Sequence, residues 1–272
     1  MKKVRLIACF LLICVCFGAL YSCKSKDTLT LNSKYFNELE AKEVDPVWLR
    51  NWMYSSQTNC YNGPLFTLNE IQGELYLEKR EEKGTHRVCL SGYYFVGIDN
   101  GEFGGGVAFL DYYSGEELSV KVLSEENCCG FLQPKAFVEY ADGDGGFWSE
   151  DPESCYVFTG LAHMLIDRGK IYKLSLTEDG YSFDEFADLG SQPSAFVMDG
   201  DNIIVATTKA LLSVDPEGNI TELYAPDYWT YFWINSMVKK DGCYYMGSSS
   251  GILKFIPETK EAVWYPYYNT EE

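Results

Sequence analysis

The hexapeptide Gln133-Pro134-Lys135-Ala136-Phe137-Val138 returns as Gln192-Pro193-Ser194-Ala195-Phe196-Val197 with five of six residues identical, and a looser copy stands at Asn235-Ser236-Met237-Val238. An internal repeat restricts a chain to architectures that use one supersecondary unit several times. Each copy precedes a polar turn and a second apolar run, at residues 155–160, 203–207 and 243–247, and residues 93–97 fill the same slot earlier. Third runs follow at 107–111, 171–175, 211–215 and 252–256, their starts 64, 40 and 41 residues apart. Turns at Ser114-Gly115, Asp179-Gly180, Glu217-Gly218 and Glu258-Thr259 then lead into a fourth, more polar run. The runs are short and rich in aromatic or β-branched residues, and no stretch of about twelve residues keeps a helical stripe, which is the pattern of an all-β chain. Four short strands in a unit of roughly 40 residues make a propeller blade. One blade cannot bury both faces of its sheet, so blades pack radially. The expectation is an all-β chain with a single β-propeller of four-stranded antiparallel sheets over residues 45–272. Five blades are expected and six are the alternative, with Phe66, Leu68, Leu75 and Leu77 supplying the strands of the first.

The stretch Asp199-Gly200-Asp201-Asn202-Ile203-Ile204-Val205-Ala206-Thr207, followed by residues 211–221 (LLSVDPEGNIT), resembles the repeats of streptogramin-lyase-like and sensor-type (two-component regulator) propellers. The likeness is good over that blade, fair over residues 233–265 and weak elsewhere. It implies a blade and not a chemistry, since propellers host many functions. It also implies that ligands sit at the mouth of the axial channel, on the face carrying the loops between strands two and three and those joining one blade to the next.

The N-terminus reads as an address. Lys2, Lys3 and Arg5 precede an apolar run from Leu6 to Leu20, which ends in Leu20-Tyr21-Ser22-Cys23. Fifteen apolar residues are short for a membrane-spanning helix. The segment resembles a bacterial lipoprotein signal, in which a small residue precedes the cysteine that is acylated; Tyr21 is bulkier than the pattern prefers. The resemblance implies a signal peptide over residues 1–22, lipidation of Cys23, a tether over 23–44 and a place in the cell envelope, with the membrane reached through the lipid. The whole chain carries 22 basic and 40 acidic residues, a net charge of −18. Loss of residues 1–22 removes three basic residues and leaves a charge of −21 over 250 residues. So acidic a chain repels phosphate backbones, and no nucleic-acid partner is expected. Two histidines leave little from which to build a zinc centre, and no metal or cofactor is expected. Six cysteines remain past the anchor: Cys60, Cys89, Cys128, Cys129, Cys155 and Cys243. An envelope location permits disulfides, and six cysteines allow 15 pairings.

Candidate binding residues come from the mouth-face loops. The run Tyr228-Trp229-Thr230-Tyr231-Phe232-Trp233 holds five aromatics in six residues, more than one strand needs. Tyr228, Trp229, Tyr231 and Trp233 are therefore candidates for stacking on a flat apolar face such as a sugar ring, with inter-blade packing as the competing use of each. His163, Asp167 and Arg168 lie in an expanded loop of the longest blade and suit an anionic or polyhydroxyl ligand, against the plainer reading of a local Asp–Arg pair on a solvated loop. Asp142-Gly143-Asp144-Gly145-Gly146 with Glu153 imitates a calcium loop but lacks its fifth ligand and sixth-position glycine. The functional expectation is an envelope lipoprotein that binds a ligand, a glycan among the options, or a partner protein. The alternatives are a propeller enzyme, a lyase or glycoside-acting protein using mouth-face carboxylates and His163, and a structural envelope component.

Overall fold

The computed structural model describes residues 27–55, 65–80, 86–90, 93–99, 105–111, 122–124, 126–132, 137–138, 148–149, 154–178 and 180–267. Four four-stranded antiparallel sheets dominate. The first contains β5 (His86–Leu90), β6 (Tyr93–Asp99), β7 (Gly105–Asp111) and β8 (Val122–Ser124). The second contains β9 (Cys128–Leu132), β12 (Ser154–His163), β13 (Ile166–Thr177) and β14 (Gly180–Asp188), with a small hairpin of β10 (Phe137–Val138) and β11 (Trp148–Ser149) inserted between its first two strands. The third runs β15 (Pro193–Asp199), β16 (Asn202–Thr207), β17 (Leu211–Val214) and β18 (Ile220–Tyr224). The fourth runs β19 (Ser236–Lys240), β20 (Cys243–Gly247), β21 (Gly251–Ile256) and β22 (Glu261–Pro266). A further hairpin, β3 (Leu65–Ile71) with β4 (Glu74–Arg80), packs against β19. Strands are hydrogen-bonded in meander order within each sheet, as in propeller blades.

The side-chain period of two explains why the sheets stand beside one another. In β16, Ile203 and Val205 point into a core shared with Phe158, Ile171 and Ala187 of the preceding sheet. Ile204 and Ala206 point the opposite way, into a core shared with Met237, Tyr244, Met246 and Leu253 of the following sheet. In β20, Tyr244 and Met246 face back to β16, while Tyr245 faces Phe66, Leu68, Leu75 and Leu77 of the β3–β4 hairpin. Successive residues of one strand thus enter successive inter-sheet cores, which an isolated sheet has no means to bury. Aromatic rings fill these gaps: Phe158 stacks on Phe196 at 3.7 Å between ring centres, joining two sheets. Structure and sequence reading agree on an all-β, propeller-like fold.

Three local expectations are corrected. The first copy of the repeat does not start its sheet. Residues 128–132, and not Phe137-Val138, pair with β12, while Phe137 and Val138 pair with Ser149 and Trp148. Five matching letters there reflect a local resemblance that the hydrogen-bond ladder does not share. Second, a helix, α1 (Pro46–Ser55), stands where no helical stripe was read. The Asp45 carboxylate accepts the N–H groups of Val47 (2.8 Å) and Trp48 (3.0 Å), and Pro46 opens the first turn, so capping and not periodicity starts the helix. Leu49 is buried and Trp48 packs on Trp264 at 5.3 Å. Third, residues 27–42 are more than a tether. β1 (Thr28–Thr30) pairs with β2 (Glu38–Glu40), Leu29, Leu31 and Leu39 are buried, Asn32 bridges to Tyr76, and Lys42 bridges to Trp264 on the outer strand of the last sheet. Residues 1–26, with Cys23, lie outside the described residues, as do Cys60 and the acidic loop at 142–146.

Two turns show where the repeat is structurally faithful. The β16–β17 turn is closed by Thr207, whose Oγ1 accepts the N–H groups of Lys209 (3.2 Å) and Ala210 (3.1 Å). The β20–β21 turn is closed by Ser248, whose Oγ accepts those of Ser250 (3.2 Å) and Gly251 (3.1 Å). Elsewhere the close approach of sheets demands glycine. A Cβ built on Gly97 of β6 would lie 2.3 Å from Cys128 Sγ and 2.7 Å from its Cβ, on the neighbouring sheet. Gly97→Ala is accordingly expected to lower stability by about 2–3 kcal/mol in urea unfolding. The double variant with Cys128→Ala should recover part of that loss through a favourable coupling energy. Full additivity of the two changes would contradict this contact.

Candidate functional site

In a meander sheet the connection from strand two to strand three and the connection from strand four to the next sheet share one end. Hydrogen bonds show that end assembled as one face. Trp229, in the 3-10 turn Trp229–Tyr231 after β18, donates its indole Nε1–H to the carbonyl of Thr207 at 2.8 Å. Ser191 Oγ donates to Thr207 Oγ1 at 2.8 Å, so the exit from β14, the β16–β17 turn and the aromatic run meet in one place.

His163, Asp167 and Arg168 stand on strands and not in a loop. The β12–β13 ladder continues through Gly160–Gly169, Leu161–Arg168, Ala162–Asp167 and His163–Ile166, leaving only Met164 and Leu165 as the turn. β9 leaves β12 at Thr159 and β14 leaves β13 at Lys170, so the last four pairs form a ribbon without a third strand. Asp167 braces this ribbon to the next sheet. Its carboxylate accepts the Gln192 N–H (2.8 Å) and the Thr208 hydroxyl (2.8 and 2.9 Å to its two oxygens), and pairs with Lys209 Nζ (3.1 Å). Arg168 pairs through Nε with Glu126 Oε1 at 3.1 Å, and Glu126 Oε2 accepts the Thr159 hydroxyl at 3.1 Å. Both carboxylates therefore serve as struts. His163 is half-buried near the ribbon's tip.

The aromatic run divides by burial. Trp229 and Phe232 are buried in the core shared by the last two sheets, where Leu49 of α1 joins them. Tyr228 and Tyr231 are half-buried against that core, and the Tyr228 hydroxyl lies 2.8 Å from that of Tyr224. Burial and this contact push the Tyr224 phenol above its ordinary range. Trp233 alone of the five is exposed, at 56%, and its φ of +50° is left-handed. A bulky residue rarely adopts that backbone and pays for it in strain.

Of the six cysteines past the anchor, Cys128, Cys129, Cys155 and Cys243 are free thiols in this structure. Burial pushes the Cys128 and Cys155 thiols up to about 12 and raises Cys129 further. Such thiols are packing groups and not nucleophiles. Among the described residues no cluster of three or more His, Cys, Asp or Glu side chains is placed to hold a metal ion.

No protein-family model matches the chain, and no curated protein matches it. Among solved structures it is similar to apo AztD from Citrobacter koseri, with 13% identity and a TM-score of 0.34 over 68% of this chain. That match takes in 47% of the AztD chain, so this chain spans about half the length of that relative. A protein from Lactobacillus plantarum is similar at 11% identity and a TM-score of 0.30, over 74% of this chain and 80% of that one.

The raised thiols carry a pH dependence of definite sign. The unfolded chain releases these protons near the ordinary value of 9.0 and the folded chain near 12, so between those values the unfolded state binds fewer protons and stability falls as pH rises. We expect stability from denaturant unfolding to fall steadily as pH rises across that window, by on the order of 4 kcal/mol for each such thiol at its upper end. Peptide mapping after iodoacetamide treatment at pH 8 should find Cys128 and Cys155 unmodified in the folded protein; rapid native alkylation of either would contradict their burial.

Proposed function

We propose that the protein is a lipid-anchored cell-envelope protein whose propeller binds a ligand on the face carrying Trp233. The observation that carries this reading is Trp233 itself, which is bulky, left-handed at φ +50° and 56% exposed. Backbone strain combined with an unburied indole brings no folding benefit, and such outliers concentrate where a side chain must be presented. Tyr228 and Tyr231 are half-buried earlier on the same run, and Trp229 anchors that run through the Thr207 carbonyl. An exposed indole with phenols nearby suits a flat, partly apolar face carrying hydroxyls, which is the chemistry of a sugar ring. Asp167 and Arg168 hold the neighbouring ribbon in place, and the Asp167 carboxylate, taken up by Gln192, Thr208 and Lys209, positions rather than binds. The repeat of residues 199–221 supports kinship with streptogramin-lyase-like and sensor-type propeller blades. The basic, apolar start ending in Ser22-Cys23 supports cleavage of residues 1–22 and acylation of Cys23.

The test separates presentation from packing. Trp233→Asn, which tolerates a left-handed backbone, is expected to leave stability unchanged or raise it by up to about 1 kcal/mol while weakening binding to hits from a glycan array at least tenfold. Trp229→Ala should instead cost about 3–5 kcal/mol of stability. Unaltered glycan affinity in Trp233→Asn, or an array without a hit for the wild-type protein, overturns the sugar-binding reading.

A further inference from the structure

The turn of the β12–β13 ribbon breaks the rule that hairpin turns use Gly, Asn or Asp at left-handed positions. Here Met164 takes φ +53°, followed by Leu165 and Ile166, and the three side chains are 91%, 102% and 50% exposed. An unstrained polar turn would be available to almost any sequence, so the tip sets aside both turn chemistry and solubility to hold three aliphatic groups in water. It holds them rigidly, because Asp167 and Arg168, just below the tip, are tied to Gln192, Thr208, Lys209 and Glu126.

Two ion pairs just below the tip are sorted by depth. In the two ion pairs the cations face solvent, with Arg168 57% and Lys209 58% exposed, while their partners Glu126 and Asp167 are 18% and 22% exposed. On a chain with a net charge of −18, this collar presents cations outward directly beneath an apolar tip. We propose that the ribbon is a membrane-docking element: Met164, Leu165 and Ile166 enter the interfacial region of an anionic phospholipid bilayer, and Arg168 and Lys209 meet the lipid phosphates. Aliphatic side chains over a basic rim are the composition of interfacial binding. A protein pocket is served less well, since protein hot spots are enriched in Trp, Tyr and Arg and poor in Leu. The inference is independent of acylation at Cys23 and of sugar binding at Trp233.

The test reads the tip directly, so that membrane contact made elsewhere in the chain does not enter. Full-chain protein with Leu165→Trp is mixed with vesicles of brominated phosphatidylcholine and phosphatidylglycerol at about 3:1, the wild type giving the background of its own tryptophans. The added fluorescence should shift to shorter wavelength and be quenched at least twofold. Met164→Asp with Ile166→Asp should abolish the quenching, and vesicles lacking phosphatidylglycerol should need about tenfold more lipid. If Leu165→Trp disturbs folding, an environment-sensitive fluorophore on Leu165→Cys gives the same reading. Quenching no greater than the wild-type background overturns the proposal, as does a spectral shift produced by an envelope protein fraction and not by vesicles.

Discussion

The fold depends on strands that are buried on both faces. β16 is the clearest case: Ile203 and Val205 enter one inter-sheet core while Ile204 and Ala206 enter another. No two-layer arrangement satisfies such a strand, so each sheet requires a neighbour on either side, and the sheets are assembled side by side rather than as a sandwich. The requirement then passes along the chain. β20 shares one core with β16 and another with the β3–β4 hairpin, and β12 sends Phe158 one way and Val157 the other. Among the described residues, large rings pack in all four of these cores, Trp229, Tyr265, Phe158 and Phe95 among them.

With the cores supplying cohesion, the mouth face is free to use polar groups for position. Thr207 and Ser248 close their turns with one hydroxyl each, and Asp167 ties two sheets together with donors from backbone, hydroxyl and ammonium. Exposed ion pairs add little stability on their own. Their effect here is geometric, since they fix the ribbon and the aromatic run relative to each other. On that ordered background two departures stand out, Met164 and Trp233, each a large apolar residue with a left-handed backbone and an exposed side chain. Elsewhere left-handed positions are mostly filled by glycine or by polar residues such as Gln72, Asp241 and Lys260, as turn chemistry prefers.

Much of this architecture was legible because it is written in period two and in turn residues. The runs at 93–97, 107–111, 203–207, 243–247 and 252–256 all fall on strands, as does 211–215 up to Val214. What escaped was written in other signals. α1 is announced by Asp45-Pro46, a cap and a first-turn proline, and not by a stripe. The mispaired Phe137-Val138 copy shows that letters repeat more readily than hydrogen-bond ladders, because partner choice depends on residues far away, here Tyr156 to Thr159 against Cys128 to Leu132. Asp167 and Arg168 were readable as polar groups on the mouth face, but their role as struts needed the positions of Gln192, Thr208 and Glu126. Burial separated Trp229 from Trp233, and no local pattern distinguishes those two indoles. The tight turn at Met164-Leu165 was not legible, because it carries no turn residues and the sequence reading placed residues 163–168 in an expanded loop.

The mutual burial of neighbouring sheets is tested most directly by native-state hydrogen exchange. Amides of Val157, Val205 and Met246, at the centres of three different sheets, should exchange only through one common opening with the free energy of global unfolding. Their exchange rates should fall together when the whole protein is stabilised. If the three sheets instead open with separate free energies, each well below that of global unfolding, the sheets do not depend on one another and the account of the fold is wrong.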